Sequence, residues 1–270
     1  MSQWHVKFDG PCSRCGVTLR AADVAVWDRS TRSMHCVECP TGESAAVEPP
    51  PIETGTAGRS ARQEHDRRAA KHEAGIEAQW GTGRVGRLVK RFSAEPQSTR
   101  AWAIGAWGEE KLAEALGGIE GLRVLHDRRV PGTRGNIDHI AIAPAGVFVV
   151  DAKAYEGLIE IRNYGPFWRP DPRLTVGRRD KSKLAFDMAW QVDAVKAALD
   201  AAGIDPPPPV TPVLCFVDGR WPWFRPPDEY AGVRLESELS IRDLFTASEA
   251  LDPSTLVRVT RALALALPPK

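Results

Sequence analysis

The stretch GNIDHIAIAPAGVFVVDAK, residues 135–153, constrains this chain more than any other. Two apolar runs flank Pro144-Ala145-Gly146, and each carries an acid at its outer end, the pattern of a tight β-hairpin. If that turn sets the register, Asp138 lies opposite Asp151. Lys153, two residues further on, shares their face because side chains repeat with period 2 along a strand. Directly opposed side chains have Cβ atoms about 5 Å apart. Two ionised carboxylates so placed repel unless a cation sits between them or one stays protonated. A divalent ion resolves the conflict: Mg²⁺ or Mn²⁺ takes a few carboxylate or carbonyl oxygens, keeps several waters and leaves room for a phosphate.

The hairpin sits within an α/β pattern. A helix over 101–118 precedes strands at 121–127 and 135–143, and strands at 146–153 and 157–162 continue the sheet. A long helix over 181–203, a strand at 210–218, a strand at 230–237 and two short helices complete the chain. On the first helix Gly105, Gly108, Glu109, Leu112 and Leu116 form one stripe, so Glu109 points inward and the glycines allow close approach to the sheet, whereas Glu110 turns toward solvent. Gln191 lies on the apolar stripe Leu184, Met188, Val195, Leu199 and faces the core or a cleft. His126 and His139 read as strand residues, with His139 on the face opposite Asp138.

Four of the five cysteines form a separate N-terminal block, Cys12, Cys15, Cys36 and Cys39, spaced C-x2-C-x20-C-x2-C. Two such knuckles let four thiolates converge on Zn²⁺, and so short a segment needs such a staple in place of a core. Two disulfides or a redox pair are the competing readings. Cys215, inside an apolar strand, reads as an inert core thiol.

Beyond Cys39 the composition turns small, polar and Pro/Gly-rich, as in a linker. Residues 59–91 then carry nine Lys/Arg against four Asp/Glu, a net charge of +5. Arg84, Arg87, Lys90 and Arg91 are its candidate phosphate contacts, with a solvated helical linker as the alternative. For the whole chain, 36 Lys/Arg against 35 Asp/Glu leave no global field, so attraction to nucleic acid rests on local patches. No secretory start and no apolar run of spanning length stand in the sequence, so a soluble cytoplasmic protein without a membrane partner is the expectation.

The pieces GAWGEEKLAEAL, GNIDHIAIAPAGVFVVDAK, GLIEIR and AWQVDAVKAAL together resemble the nuclease-related domain (NERD) family of the restriction-endonuclease-like, PD-(D/E)xK superfamily, over roughly residues 100–217. The resemblance implies a mixed sheet flanked by helices and a metal-dependent nuclease. In it Asp138 and Asp151 hold Mg²⁺ or Mn²⁺, with the main-chain carbonyl of Ala152 as a further ligand. Lys153 supports the attacking water or the charge of the transition state, Glu109 completes the acidic cluster, and Gln191 matches the glutamine of RecB-like nucleases. The expected organisation is a four-cysteine zinc ribbon over 1–42, a linker and basic, partly helical segment over 43–98, and the nuclease-like domain over 99–270. DNA is preferred over RNA as partner. A zinc-ribbon nucleic-acid-binding protein with a catalytically silent fold, and an interaction adaptor, are the alternatives. RWPWFRPP, residues 220–227, reads first as a proline-stiffened loop packed on the sheet, and second as Trp221, Trp223 and Phe224 offered to bases for stacking.

Overall fold

The computed structural model describes residues 2–6, 9–13, 16–28, 32–37, 51–246 and 250–270. These fall into two compact units, Met1–Pro51 and Ile52–Lys270.

The first unit holds five short strands, β1 (Ser2–His5), β2 (Gly10–Pro11), β3 (Thr18–Leu19), β4 (Val24–Asp28) and β5 (Ser33–Cys36). β1, β4 and β5 form one antiparallel sheet, and β2 pairs with β3. Its buried apolar residues are Val6, Cys12, Leu19 and Ala25, with Met34 and Cys36 packed against them. Pairing of β4 with β5 sets Cys36 opposite Ala25, and the chain returns so that the sulfur atoms of Cys12 and Cys36 stand 3.8 Å apart. The Cys36 N–H also donates to Cys12 Sγ at 3.3 Å. Cys15 and Cys39 lie outside the described residues.

In the second unit three helices come first: α1 (Arg59–Trp80), α2 (Arg84–Phe92) and α3 (Gln97–Gly117). The strands β6 (Arg123–Arg129), β7 (Asn136–Ala143) and β8 (Gly146–Lys153) follow as an antiparallel meander. Next come β9 (Ile159–Asn163), β10 (Pro172–Val176), β11 (Arg179–Asp180), α4 (Ser182–Asp187) and α5 (Ala189–Ala201). The last elements are β12 (Val210–Phe216), β13 (Glu229–Tyr230), β14 (Val233–Ser237), α6 (Ile241–Thr246) and α7 (Pro253–Ala266). The main sheet has six strands in the order β13-β14-β12-β8-β7-β6. β12 runs parallel to β8 and to β14, so the sheet is mixed.

Strand alternation assigns the two faces. Ile140, Ile142, Val147, Val149, Leu214 and Phe216 meet α5 and α7 through Val195, Leu199, Val259 and Leu263. Ala141, Phe148, Val150, Val213 and Cys215 meet α3 and α6 through Leu112, Leu116, Ile241 and Phe245. Cys215 is a fully buried thiol whose pKa is pushed up by loss of water, the inert core residue its strand implies.

Several expectations need correcting. GLIEIR does not continue the main sheet: Gly157, with φ 130°, turns the chain away, and β9 pairs with β10 in a separate three-stranded sheet completed by β11. The long helix over 181–203 is two helices, because the Met188 N–H bonds to Ala185 O three residues back and breaks the ladder there. Glu110 meets Arg62 of α1 rather than solvent alone. Of the two glycines credited with bringing α3 to the sheet, only Gly108 does so: a Cβ there would stand 3.0 Å from Ala154 Cβ, whereas one on Gly105 would meet nothing. In RWPWFRPP, Trp221 alone packs, against Phe216, while Trp223 and Phe224 stand out from the surface.

Residues 52–98, expected as linker and basic helix, pack within the second unit. Arg68 of α1 lies over the Trp102 ring of α3 at 5.5 Å, and Lys90 of α2 bonds back to Glu73 of α1 at 2.7 Å. Arg128, fully buried in β6, ties both ends of this unit to the sheet by donating to the carbonyls of Glu53, Ala264 and Leu267. Two of these carbonyls close α7, where a cation also opposes the negative end of the helix. Among the described residues no helix is long and apolar enough to cross a membrane.

Candidate active site

The β7–β8 ladder runs from Ala143↔Gly146 to His139↔Val150, the register expected from the turn. Asp138 and Asp151 are therefore the next residues abreast, just past the last ladder pair. Alternation gives them the α5/α7 face, with Ile140 and Val149 as their inner neighbours. Asp138 lies close enough to Asp151 to feel its charge, and Lys153 Nζ makes a close ion pair with Asp151. Asp151 is buried, and Lys153 keeps only partial contact with solvent.

α3 passes over this end of β8, which Gly108 permits, and brings Glu109 within reach of the charges there. Glu109 is buried and feels the charges of Asp151 and Lys153, and Asp138 feels Glu109 in turn. Its Oε2 accepts the N–H of Gly58 at 3.0 Å. Gly58 has φ 71°, and a Cβ there would stand 2.8 Å from Ala106 O, so glycine suits this contact both conformationally and sterically.

Electrostatics follow from this crowding. Loss of water, then the charges of Asp151 and Glu109, hold the Asp138 carboxyl well above its ordinary pKa. Burial, then the Asp127 charge, pushes Glu109 up to about 7. For Lys153 burial works against the charged form, but Asp151 and Asp138 outweigh it, so its ammonium is held more firmly than usual. Without metal, then, the repulsion between the paired acids is opposed by Lys153 and favours the protonated form of Asp138.

Asp127 was not singled out in the sequence. His126↔His139 and Arg128↔Ile137 bracket it, which sets Asp127 abreast of Asp138 on the far side of β7. Its backbone is left-handed, φ 46°, and the ladder is interrupted there. The carboxylate accepts from Ser60 N at 2.7 Å, Ser60 Oγ at 2.9 Å and Asn136 Nδ2 at 2.8 Å, serving the first turn of α1. An acid in the middle of LRVLHDRRV gives the only sequence signal, and an α1 partner 67 residues earlier is invisible to local pattern.

Gln191, at the start of α5, is buried on the same side of the sheet as Asp138 and Asp151. Its Nε2 reaches Met188 Sδ at 3.9 Å, and its Oε1 has no partner among the described residues. No hydrogen bond joins it to the acids. His126 and His139 lie on the α3 face, their Nδ1 atoms 2.9 Å apart, away from the group as expected. Arg84, Arg87 and Arg91 are exposed on α2, whereas Lys90 faces Glu73 and Glu77 of α1.

Whether these residues suit metal ions can be judged from donor type and spacing. Among the described residues no three His, Cys, Asp or Glu side chains converge on one point. Mg²⁺, however, is commonly held by one or two carboxylates plus waters, which Asp138 and Asp151 supply. In the first unit, two thiolates about 2.3 Å from one tetrahedral Zn²⁺ would stand about 3.8 Å apart. Cys12 and Cys36 have that separation, far beyond a disulfide.

The Glu109 environment makes stability depend on pH in a definite sense. A carboxyl whose folded pKa is raised contributes its stability fully below its unfolded pKa and loses it as pH rises toward the folded value. Glu109→Gln removes that dependence and keeps an acceptor for Gly58. Without divalent metal, the variant should gain on wild type between pH 4.5 and about 7, by roughly 3 kcal/mol at most, and not beyond. Urea unfolding at pH 5 and pH 8 checks this; an equal difference at both pH values would mean Glu109 holds no proton.

A search of curated proteins and a search of solved structures each find no match. Residues 104–217, the stretch from α3 to the end of β12 that carries Glu109, Asp138, Asp151, Lys153 and Gln191, match the family model of the nuclease-related domain, NERD.

Proposed function

We propose that this protein is a metal-dependent nuclease that hydrolyses phosphodiester bonds of DNA, in DNA processing or defence. The observation that carries the reading is the crowding of Glu109, Asp138 and Asp151 with Lys153 at one end of β7 and β8, inside the segment that matches NERD. Buried acids at such proximity oppose folding unless something positive joins them, and sites of that kind are more often functional than structural.

Asp138, Asp151 and the main-chain carbonyl of Ala152 would hold Mg²⁺ or Mn²⁺. When bound, such an ion supplies Lewis-acid polarisation of a phosphoryl oxygen and a lowered pKa for water. Lys153 brings a fixed positive charge to the same place and stabilises negative charge building on the phosphoryl group. Glu109, with its pKa near neutrality, is suited to accept or return a proton. Gln191 offers a buried, unpartnered oxygen to which a water or a substrate hydroxyl can donate. Arg84, Arg87 and Arg91 on α2 would contact phosphates, while Lys90 is already neutralised by Glu73.

Cys12, Cys15, Cys36 and Cys39 would bind one Zn²⁺ that stabilises the N-terminal unit, a reading supported by the sulfur spacing of Cys12 and Cys36. Metal analysis of the purified chain should find one zinc per molecule. Zinc-free protein with an ordered N-terminal unit would remove this part of the reading.

Cleavage of linear, circular and single-stranded DNA, with and without Mg²⁺ or Mn²⁺, tests the main claim. Asp151→Asn should abolish metal-dependent cleavage while the protein stays folded. Lys153→Met should cut turnover by about 100-fold or more, the scale of losing one transition-state charge partner. Metal-dependent cleavage by Asp151→Asn at the wild-type rate would place the chemistry elsewhere.

A further inference from the structure

Two segments root beside the candidate site and end in exposed aromatic rings. The first is the β9–β10 hairpin, whose first strand starts six residues after Lys153. Its tip, Tyr164–Asp171, presents Phe167 at 87% and Trp168 at 75% exposure, packed edge-to-face on each other at 5.0 Å. The second is the loop after β12. It starts where the Val217 N–H donates to Lys153 O at 3.0 Å, and it presents Trp223 at 99% and Phe224 at 70% exposure.

The segments run side by side. Arg220 forms a bridge with Leu158 at the base of β9, and the Ile159 N–H donates to Arg220 O at 2.8 Å. At the other end, Tyr230 Oη donates to Pro172 O at 3.0 Å, and Pro172 pairs with Asn163 next to the hairpin tip. The loop therefore spans the length of β9, about 17 Å for five residues of strand. The two adjacent segments that carry the four rings both start near Lys153, and together they form one margin of this unit.

Folding does not account for these rings. Trp221, in the second segment itself, does pack on Phe216, so the loop is anchored without Trp223 or Phe224. Arginines flank the rings: Arg169 follows Trp168, Arg220 stands three residues before Trp223, and Arg225 lies over the Phe224 ring at 5.2 Å. All three are exposed, and none has an ion-pair partner among the described residues. Flat apolar faces interleaved with unpaired guanidinium groups suit a polyanion whose bases are free to stack. In a duplex those base faces are covered by neighbouring pairs; in a single strand they are open.

We infer that this margin binds single-stranded nucleic acid, with Phe167, Trp168, Trp223 and Phe224 stacking on unpaired bases and leading the strand to the site at Lys153. The inference rests on the nuclease reading for its direction, and its test does not require cleavage. The full-length protein, without added divalent metal, is titrated with a fluorescent oligothymidylate and with a blunt duplex. Phe167→Ala/Trp168→Ala and Trp223→Ala/Phe224→Ala should each weaken single-strand binding at least roughly 5- to 150-fold, the loss of one stacked base, and more where both rings stack. Duplex affinity and the thermal midpoint should stay as in wild type, because the rings are exposed. Unchanged single-strand affinity in both variants would overturn the inference, as would equal losses for single strand and duplex. Unchanged oligothymidylate binding with lost binding to phosphatidylserine vesicles would reassign the rings to a lipid surface. An active nuclease can fail this test and an inactive protein can pass it, so the outcomes for the two readings are separable.

Discussion

Like charges held abreast at the end of a sheet set the terms for the rest of this molecule. Asp138 and Asp151 are brought together by a register that leaves neither strand free to slip, because a shift of one residue would turn Ile140, Ile142, Val147 and Val149 out of the core. The apolar core fixes the ladder, and the ladder forces the carboxyl groups together. The structure answers the repulsion at close range with the ammonium of Lys153, and the crowding raises the pKa of the Asp138 carboxyl well above its ordinary value. An arrangement that opposes folding in this way is intelligible if a divalent cation is its working partner.

The site reaches well beyond the hairpin. Glu109 arrives because Gly108 lets α3 pass within contact of Ala154, and it is held by the N–H of Gly58, fifty-one residues earlier. Asp127 binds the next turn of the same segment through Ser60. The entry to α1 thus docks on two acids of the cluster, and Arg128 fastens Glu53 just before it to the last carbonyls of α7. Residues ahead of the span that matches NERD are in this sense part of the site's support, and changes at Gly58 or Ser60 are expected to disturb the acids without touching them.

Much of this was legible in the sequence where local periodicity carried it. The hairpin register, the face shared by Asp138, Asp151 and Lys153, the inward turn of Glu109 and the burial of Cys215 all follow from repeats of 2 and 3.6 residues. What could not be read depended on distant partners or on special backbone. The departure of β9 from the main sheet turns on Gly157, and the role of Asp127 turns on a left-handed residue that interrupts its strand. The docking of Gly58 and Ser60 joins segments whose sequences carry no trace of each other. Trp221 and Trp223, two residues apart in one loop, have opposite fates because only one of them finds Phe216.

The central claim is that Asp138 and Asp151 form a cation site rather than a structural carboxyl pair. Calorimetric titration of Mn²⁺ into the full-length protein, with Asp138→Asn and Lys153→Met alongside, tests it most directly. The account predicts saturable Mn²⁺ binding to wild type, loss of that binding in Asp138→Asn, and its retention in Lys153→Met, whose side chain supplies charge and not a ligand. Equal binding of Mn²⁺ by wild type and Asp138→Asn, or none by either, would contradict it.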